Sequence, residues 1–116
     1  MEENRKQKLI AGGINVDSAL ERMMGSEKML EKYLGRFLEE KSYAALEAAM
    51  SNNDEEAARA AAHTLKSVCG TLGCEEMQNL VIEQEKALRA GQWAEAAAMM
   101  PKITEVYKNI CQVLQS

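Results

Sequence analysis

The chain is short of several things, and each shortage removes a class of protein. It has one histidine, one proline and only 4% aromatic residues in 116. Without a second imidazole, a bis-histidine metal site cannot be built. No apolar run approaches the ~20 residues that cross a bilayer. The leading MEENRKQKLIAGG carries charge but no apolar h-region, so it does not read as a secretory signal. The net charge is −4 and Lys and Arg form no basic cluster, which argues against nucleic acid as a partner. Neither a G-x-x-x-x-G-K-[ST] loop nor a glycine-rich kinase box is present, so there is no ATP site. Three cysteines, Cys69, Cys74 and Cys111, are an odd number that suits reduced thiols and a cytoplasmic location.

What remains is 47% hydrophobic, rich in Ala and with eight Met, the composition of an all-α protein. The length suits one core. Residues 1–12 are polar and lead to Gly13, and read as a flexible lead-in to a single domain over 13–116. Asn15-Val16-Asp17 can cap a short helix through Val16, Ala19, Leu20 and Met23 that stops near Gly25. Ser26 caps the next, whose Leu30, Tyr33, Leu34, Phe37 and Leu38 form a core-facing stripe. Gly35 in that helix suggests a close helix contact. A further helical stretch, Ser42 to Met50, reads either as a bent continuation or as a separate helix.

Ser51-Asn52-Asn53-Asp54 breaks the chain, and Asn53 with Glu56 has capping-box spacing. The helix launched there should end at Gly73, a left-handed cap. Glu75 begins another that closes at Gly91, with Gln84 on its core stripe. The last helix carries Trp93, a packing residue, and is kinked or restarted by Pro101. Amphipathic helices joined by short turns pack as an antiparallel four-helix bundle, here with an additional short N-terminal helix.

The single histidine lies in AAHTLKSVCGTLG, residues 61–73. Ala58, Ala61, Leu65, Val68 and Leu72 form the core stripe of that helix. His63 is two residues from Ala61 and from Leu65, about 200° around the helix, and therefore points to solvent. Its neighbours one turn away are Arg59, Ala60, Lys66 and Ser67, with Gly70 beyond them. On spacing alone, one exposed histidine is an ordinary surface residue. Yet small neighbours admit a partner surface, and Lys66 can neutralise an anion at the ring. A metal site from Cys69, Cys74 and His63 would need the ring to turn inward, against its phase; the cysteines read as small core residues.

A-H-T-L-K at 62–66, followed by Gly70, Leu72 and Gly73, resembles the active helix of histidine-containing phosphotransfer (HPt) domains. GINVDSALERMMG (13–25), YLGRFLEE (33–40), NNDEEAARAAAHTLK (52–66) and LRAGQWAEA (88–96) resemble other parts of the family in the same order, so the likeness spans about residues 13–115. Two positions depart from the family pattern. Ser67 stands where glycine is usual. Glu85 stands where some members carry glutamine, close to the imidazole; it can orient a ring N–H and would repel a phosphoryl group.

The resemblance implies a phosphocarrier rather than an enzyme. His63 would accept a phosphoryl group from a receiver-domain aspartyl phosphate and pass it to another receiver aspartate, with Lys66 stabilising the charge. A free imidazole titrates near about 6.5, so at cellular pH one ring nitrogen has a lone pair for in-line attack. Phosphoryl transfer needs positioning and charge neutralisation above all. The implied partners are response-regulator receiver domains and a hybrid histidine kinase; Mg²⁺ belongs to the receiver, and no cofactor to this chain. Docking candidates are Ala60, Gly70, Met29 and Phe37, and a free-standing monomer is expected. The alternatives are a non-phosphorylated helical adaptor built on the same bundle and, third, a histidine-kinase dimerisation hairpin. That hairpin normally has an acidic residue after its histidine, where this chain has Thr64.

Overall fold

A computed structural model describes all of residues 1–116. It contains eight helices: α1 (Glu3–Ala11), α2 (Val16–Arg22), α3 (Glu27–Phe37), α4 (Ser42–Ser51), α5 (Glu55–Leu72), α6 (Glu75–Arg89), α7 (Trp93–Ala98) and α8 (Met100–Gln115). Side-chain caps start several of them. Asn15 Oδ1 accepts from the Ser18 N–H at 3.0 Å and Ser26 Oγ from the Met29 N–H at 3.1 Å. Each such cap contributes about 1 kcal/mol. At α5 the cap is Asp54, whose Oδ1 accepts from the Ala57 N–H at 3.1 Å. Asn53, expected in that role, instead takes the left-handed φ of 54° that turns the chain after α4.

Four helices make the bundle. α5 packs between α4 and α6, and α6 packs on α8. Tyr43 of α4 closes the ring: its hydroxyl is hydrogen-bonded to Thr104 of α8 at 2.7 Å, and its ring stacks on Tyr107 with centroids 3.8 Å apart. The short turns between successive helices make them antiparallel, so the expected all-α bundle is what forms. Its core includes Leu46, Leu65, Cys69, Met77, Val81, Ile103 and Ile110, all essentially without solvent contact. Gln84 also lies in it, its amide donating to the Ala96 carbonyl at 3.1 Å. Pro101 sits in the first turn of α8, where its missing N–H costs nothing, and so restarts the helix after α7.

The structure corrects the reading of the N-terminus. Residues 3–11 form a helix rather than a flexible lead-in, and α1 packs on α2 and α8. Leu9 is wholly buried, Arg5 pairs with Glu31 and Lys6 with Asp17, each at 3.1 Å, and the terminal amine pairs with Glu27. One buried leucine gives no apolar periodicity, which is why a polar sequence hid the helix. Two further helices, α2 and α3, lie between α1 and the four bundle helices. Gly35 makes no close contact, since an added Cβ would meet nothing within 4 Å. α3 and α4 are separate helices, with the Glu40 carboxylate accepting from the Ser42 N–H at 3.0 Å where α4 begins.

Gly73 ends α5 with φ 74°, as expected for a left-handed cap. It has a second constraint. The Gly73 carbonyl accepts from the Asn15 N–H at 2.8 Å, and Asn15 Nδ2 donates to Glu75 at 3.0 Å. A Cβ on Gly73 would lie 2.5 Å from the Asn15 carbonyl oxygen. The turn that ends the histidine helix is thus clasped to the linker between α1 and α2.

Candidate functional site

His63 stands mid-way along α5 with its side chain 58% exposed, as the helical phase requires. Ala61 and Leu65, on the opposite face, are buried. The core side of α5 is wider than the expected stripe, for Ala62 and Cys69 are also buried whereas Val68 is only half so. The ring is not free. Its Nδ1 lies 3.0 Å from Oε2 of Glu85, which comes across from α6. Lys66 donates to the other oxygen of Glu85, Oε1, at 2.7 Å, and Arg89 donates to Oε2 at 3.1 Å.

Glu85 is therefore the hub of the site. Its side chain is 7% exposed, and burial alone would push the carboxyl up. Hydrogen bonds from Lys66, Arg89 and His63 outweigh burial and bring it down from 4.5 to about 2. The carboxylate is thus charged and accepts only, so the short contact with His63 requires a proton on Nδ1. That proton leaves the lone pair of the neutral ring on Nε2.

Small and hydroxyl side chains surround the ring on α5. Ala60 is exposed one turn before it. The Ser67 hydroxyl donates to the His63 main-chain carbonyl at 3.3 Å, not to the ring, and Thr64 and Thr71 likewise donate to carbonyls four residues back. His63, Arg59, Ala60 and Thr64 share an open depression with Glu56 and Arg89. A second hollow, of about 310 Å³, lies between α3 and α5 and is lined by Tyr33, Arg36, Phe37, Val68 and Thr71 among others.

Two docking candidates change character. Phe37 is 1% exposed, so it is part of the core beneath that hollow rather than a contact residue. Its position on the stripe with Leu30 and Leu34 is the reason. Gly70 is half-buried, with the Gln78 amide so near that a Cβ would lie 2.5 Å from it. Met29 does reach solvent, as does Tyr33. Arg89 was not among the sequence candidates. Its signal was its place four residues after Glu85 on the same helix, the spacing of an ion pair.

Elsewhere the chemistry is quiet. No three His, Cys, Asp or Glu side chains converge as a metal site would need. A hydrogen bond with Cys74, together with burial, pushes the Cys69 thiol up, so it stays protonated. No helix is long and apolar enough to cross a membrane.

The fold is an all-α antiparallel bundle that carries one exposed imidazole mid-way along a central helix. The Hpt domain family model matches residues 28–115, most of the chain, and the protein belongs to that family. Its setting is accordingly histidine phosphotransfer in two-component phosphorelays, as a phosphocarrier module. Comparison with curated proteins and with solved structures gives no match.

Proposed function

We propose that His63 is the phosphoryl acceptor of this Hpt domain, taking the group from the aspartyl phosphate of one receiver domain and passing it to the aspartate of another. The observation that carries this reading is the Nδ1 contact with Glu85 at 3.0 Å on a ring that is otherwise open to solvent. The Nε2 lone pair attacks phosphorus in line with the acyl phosphate P–O bond. That bond breaks, and the receiver carboxylate leaves with its electron pair. The new N–P bond gives the ring a formal positive charge, and its Nδ1–H remains on the Glu85 carboxylate, which stabilises the cation. Onward transfer reverses these steps, the electron pair of the N–P bond returning to Nε2.

Lys66 and Arg89 add positive potential where the phosphoryl charge accumulates, a contribution that a dry protein–protein interface strengthens. Mg²⁺ is assigned to the receiver, and no step on this chain needs it. Ala60, Thr64 and the exposed Met29 and Tyr33 of α3 offer the surface against which a receiver seats. In this reading the chain works as a cytoplasmic monomer whose docking face is left free.

The test is incubation with a phosphorylated receiver, following acid-labile phosphate on this chain. Wild type should gain it and His63→Gln should not; transfer that persists in the variant removes His63 from the role. Receiver binding with no transfer to wild type, from any of a panel of receivers, would instead support the adaptor alternative.

A further inference from the structure

The three donors on Glu85 are not equivalent. Oε1 has one partner, Lys66, at 2.7 Å. Oε2 has two, His63 Nδ1 at 3.0 Å and Arg89 Nη2 at 3.1 Å. A buried carboxylate oxygen stripped of its partner is costly, the more so when charged. Withdrawing Lys66 would strip Oε1. Withdrawing Arg89 strips nothing, because His63 still holds Oε2 and Lys66 still holds Oε1.

Exposure divides the two cations in the same way. The Lys66 side chain is 28% exposed and the Arg89 side chain 63%. Arg89 also borders the open depression beside His63, and Lys66 does not. Because Arg89 and the imidazole bond the same carboxylate oxygen, the guanidinium already stands beside the ring.

These contacts point to a division of labour that rests on the acceptor reading: on phosphorylation Arg89 leaves Glu85 and closes on the phosphoryl oxygens of His63, while Lys66 stays on Glu85. Arg89 is then a phosphoryl-binding residue. Its planar fork suits two oxygens of a phosphoryl dianion better than one oxygen of a carboxylate already engaged by the ring. Lys66 is a positioning residue, keeping the carboxylate in place to hold the Nδ1–H. No bond to phosphorus is made or broken in the exchange; one ion pair replaces another.

The experiment loads the intact protein from a phosphorylated receiver and reads the phosphohistidine ³¹P signal. It then measures the equilibrium partition of phosphoryl between receiver and His63 for wild type, Arg89→Ala, Arg89→Lys and Arg59→Ala. Imidazole ¹⁵N shifts of each unphosphorylated protein, and of Lys66→Gln, report the ring's tautomer. Arg89→Ala should lower the share on His63 by about five- to tenfold, the scale of one charge-assisted hydrogen bond. Arg89→Lys should restore part of it, and Arg59→Ala should have a smaller effect. The unphosphorylated ring should be unchanged in Arg89→Ala and altered in Lys66→Gln. An unchanged partition in Arg89→Ala, an equal effect of Arg59→Ala, or ring shifts in Arg89→Ala like those of Lys66→Gln would each overturn the assignment. Wild type without a phosphohistidine signal would sink the acceptor reading together with this proposal; a wild-type signal with an unmoved Arg89→Ala partition sinks this proposal alone.

Discussion

Acid should remove from the fold a contribution that belongs to Glu85. The carboxyl is at 4.5 when unperturbed and about 2 in the folded protein, because the three donors around it outweigh its burial. A gap of that size corresponds to about 3 kcal/mol of preference for the charged form. Arg89 and His63 are more than half exposed, so solvent screening reduces the part that reaches stability to about 2 kcal/mol. The sign follows from a folded value below the unfolded one. The stabilisation is complete above the ordinary carboxylate range and is lost as pH falls from about 4.5 toward 2.

Urea unfolding of wild type and Glu85→Gln from pH 6 to pH 2.5 isolates this contribution. Other carboxylates titrate in both proteins and cancel in the difference. That difference should be constant above pH 5.5 and fall by roughly half its titrating part near pH 3. A difference that does not depend on pH would refute the hub as described, since it would mean that the glutamine merely packs less well.

Two glycines give a paired prediction. Gly73 and Gly91 both have φ above 70°, but only Gly73 has a backbone oxygen within 2.5 Å of a would-be Cβ. Gly91→Ala should cost about 1–2 kcal/mol for the left-handed backbone alone, and Gly73→Ala distinctly more; equal shifts in thermal melts would deny the clasp with Asn15. Leu9→Ala should cost about 2–5 kcal/mol in chemical unfolding if α1 belongs to the folded body, and almost nothing if it does not. His63→Gln should leave the melting temperature within a few degrees of wild type, because its ring is mostly exposed, while abolishing phosphoryl acceptance.

Much of this was legible from helical phase. Apolar spacing on α5 turns His63 outward, the same count sends Gln84 into the core, Gly73 marks a helix end, and Pro101 marks a kink or restart that the structure resolves as a restart. Other features depended on what comes across from another helix. Counting along α5 finds no carboxylate one turn from His63; the family likeness, not the helical count, points to Glu85, which comes across from α6. Arg89 joins the site through Glu85 rather than through any pattern around the histidine. Phe37 suits both the inward stripe of α3 and a docking surface by spacing, and packing decides for the stripe. The helix α1 was missed because its attachments are one leucine and a set of ion pairs, and ion-pair partners in other elements leave no local period.

The position of α5 has a consequence in time as well as in space. It is the helix that α2, α3, α4 and α6 all pack against, so its main-chain amides should exchange with solvent only when the whole domain opens. The histidine therefore rides on the slowest-opening segment of the molecule, with its motion confined to side chains at the surface. On the acceptor reading, fraying of that helix does not gate the exchange of phosphoryl groups while the domain stays folded.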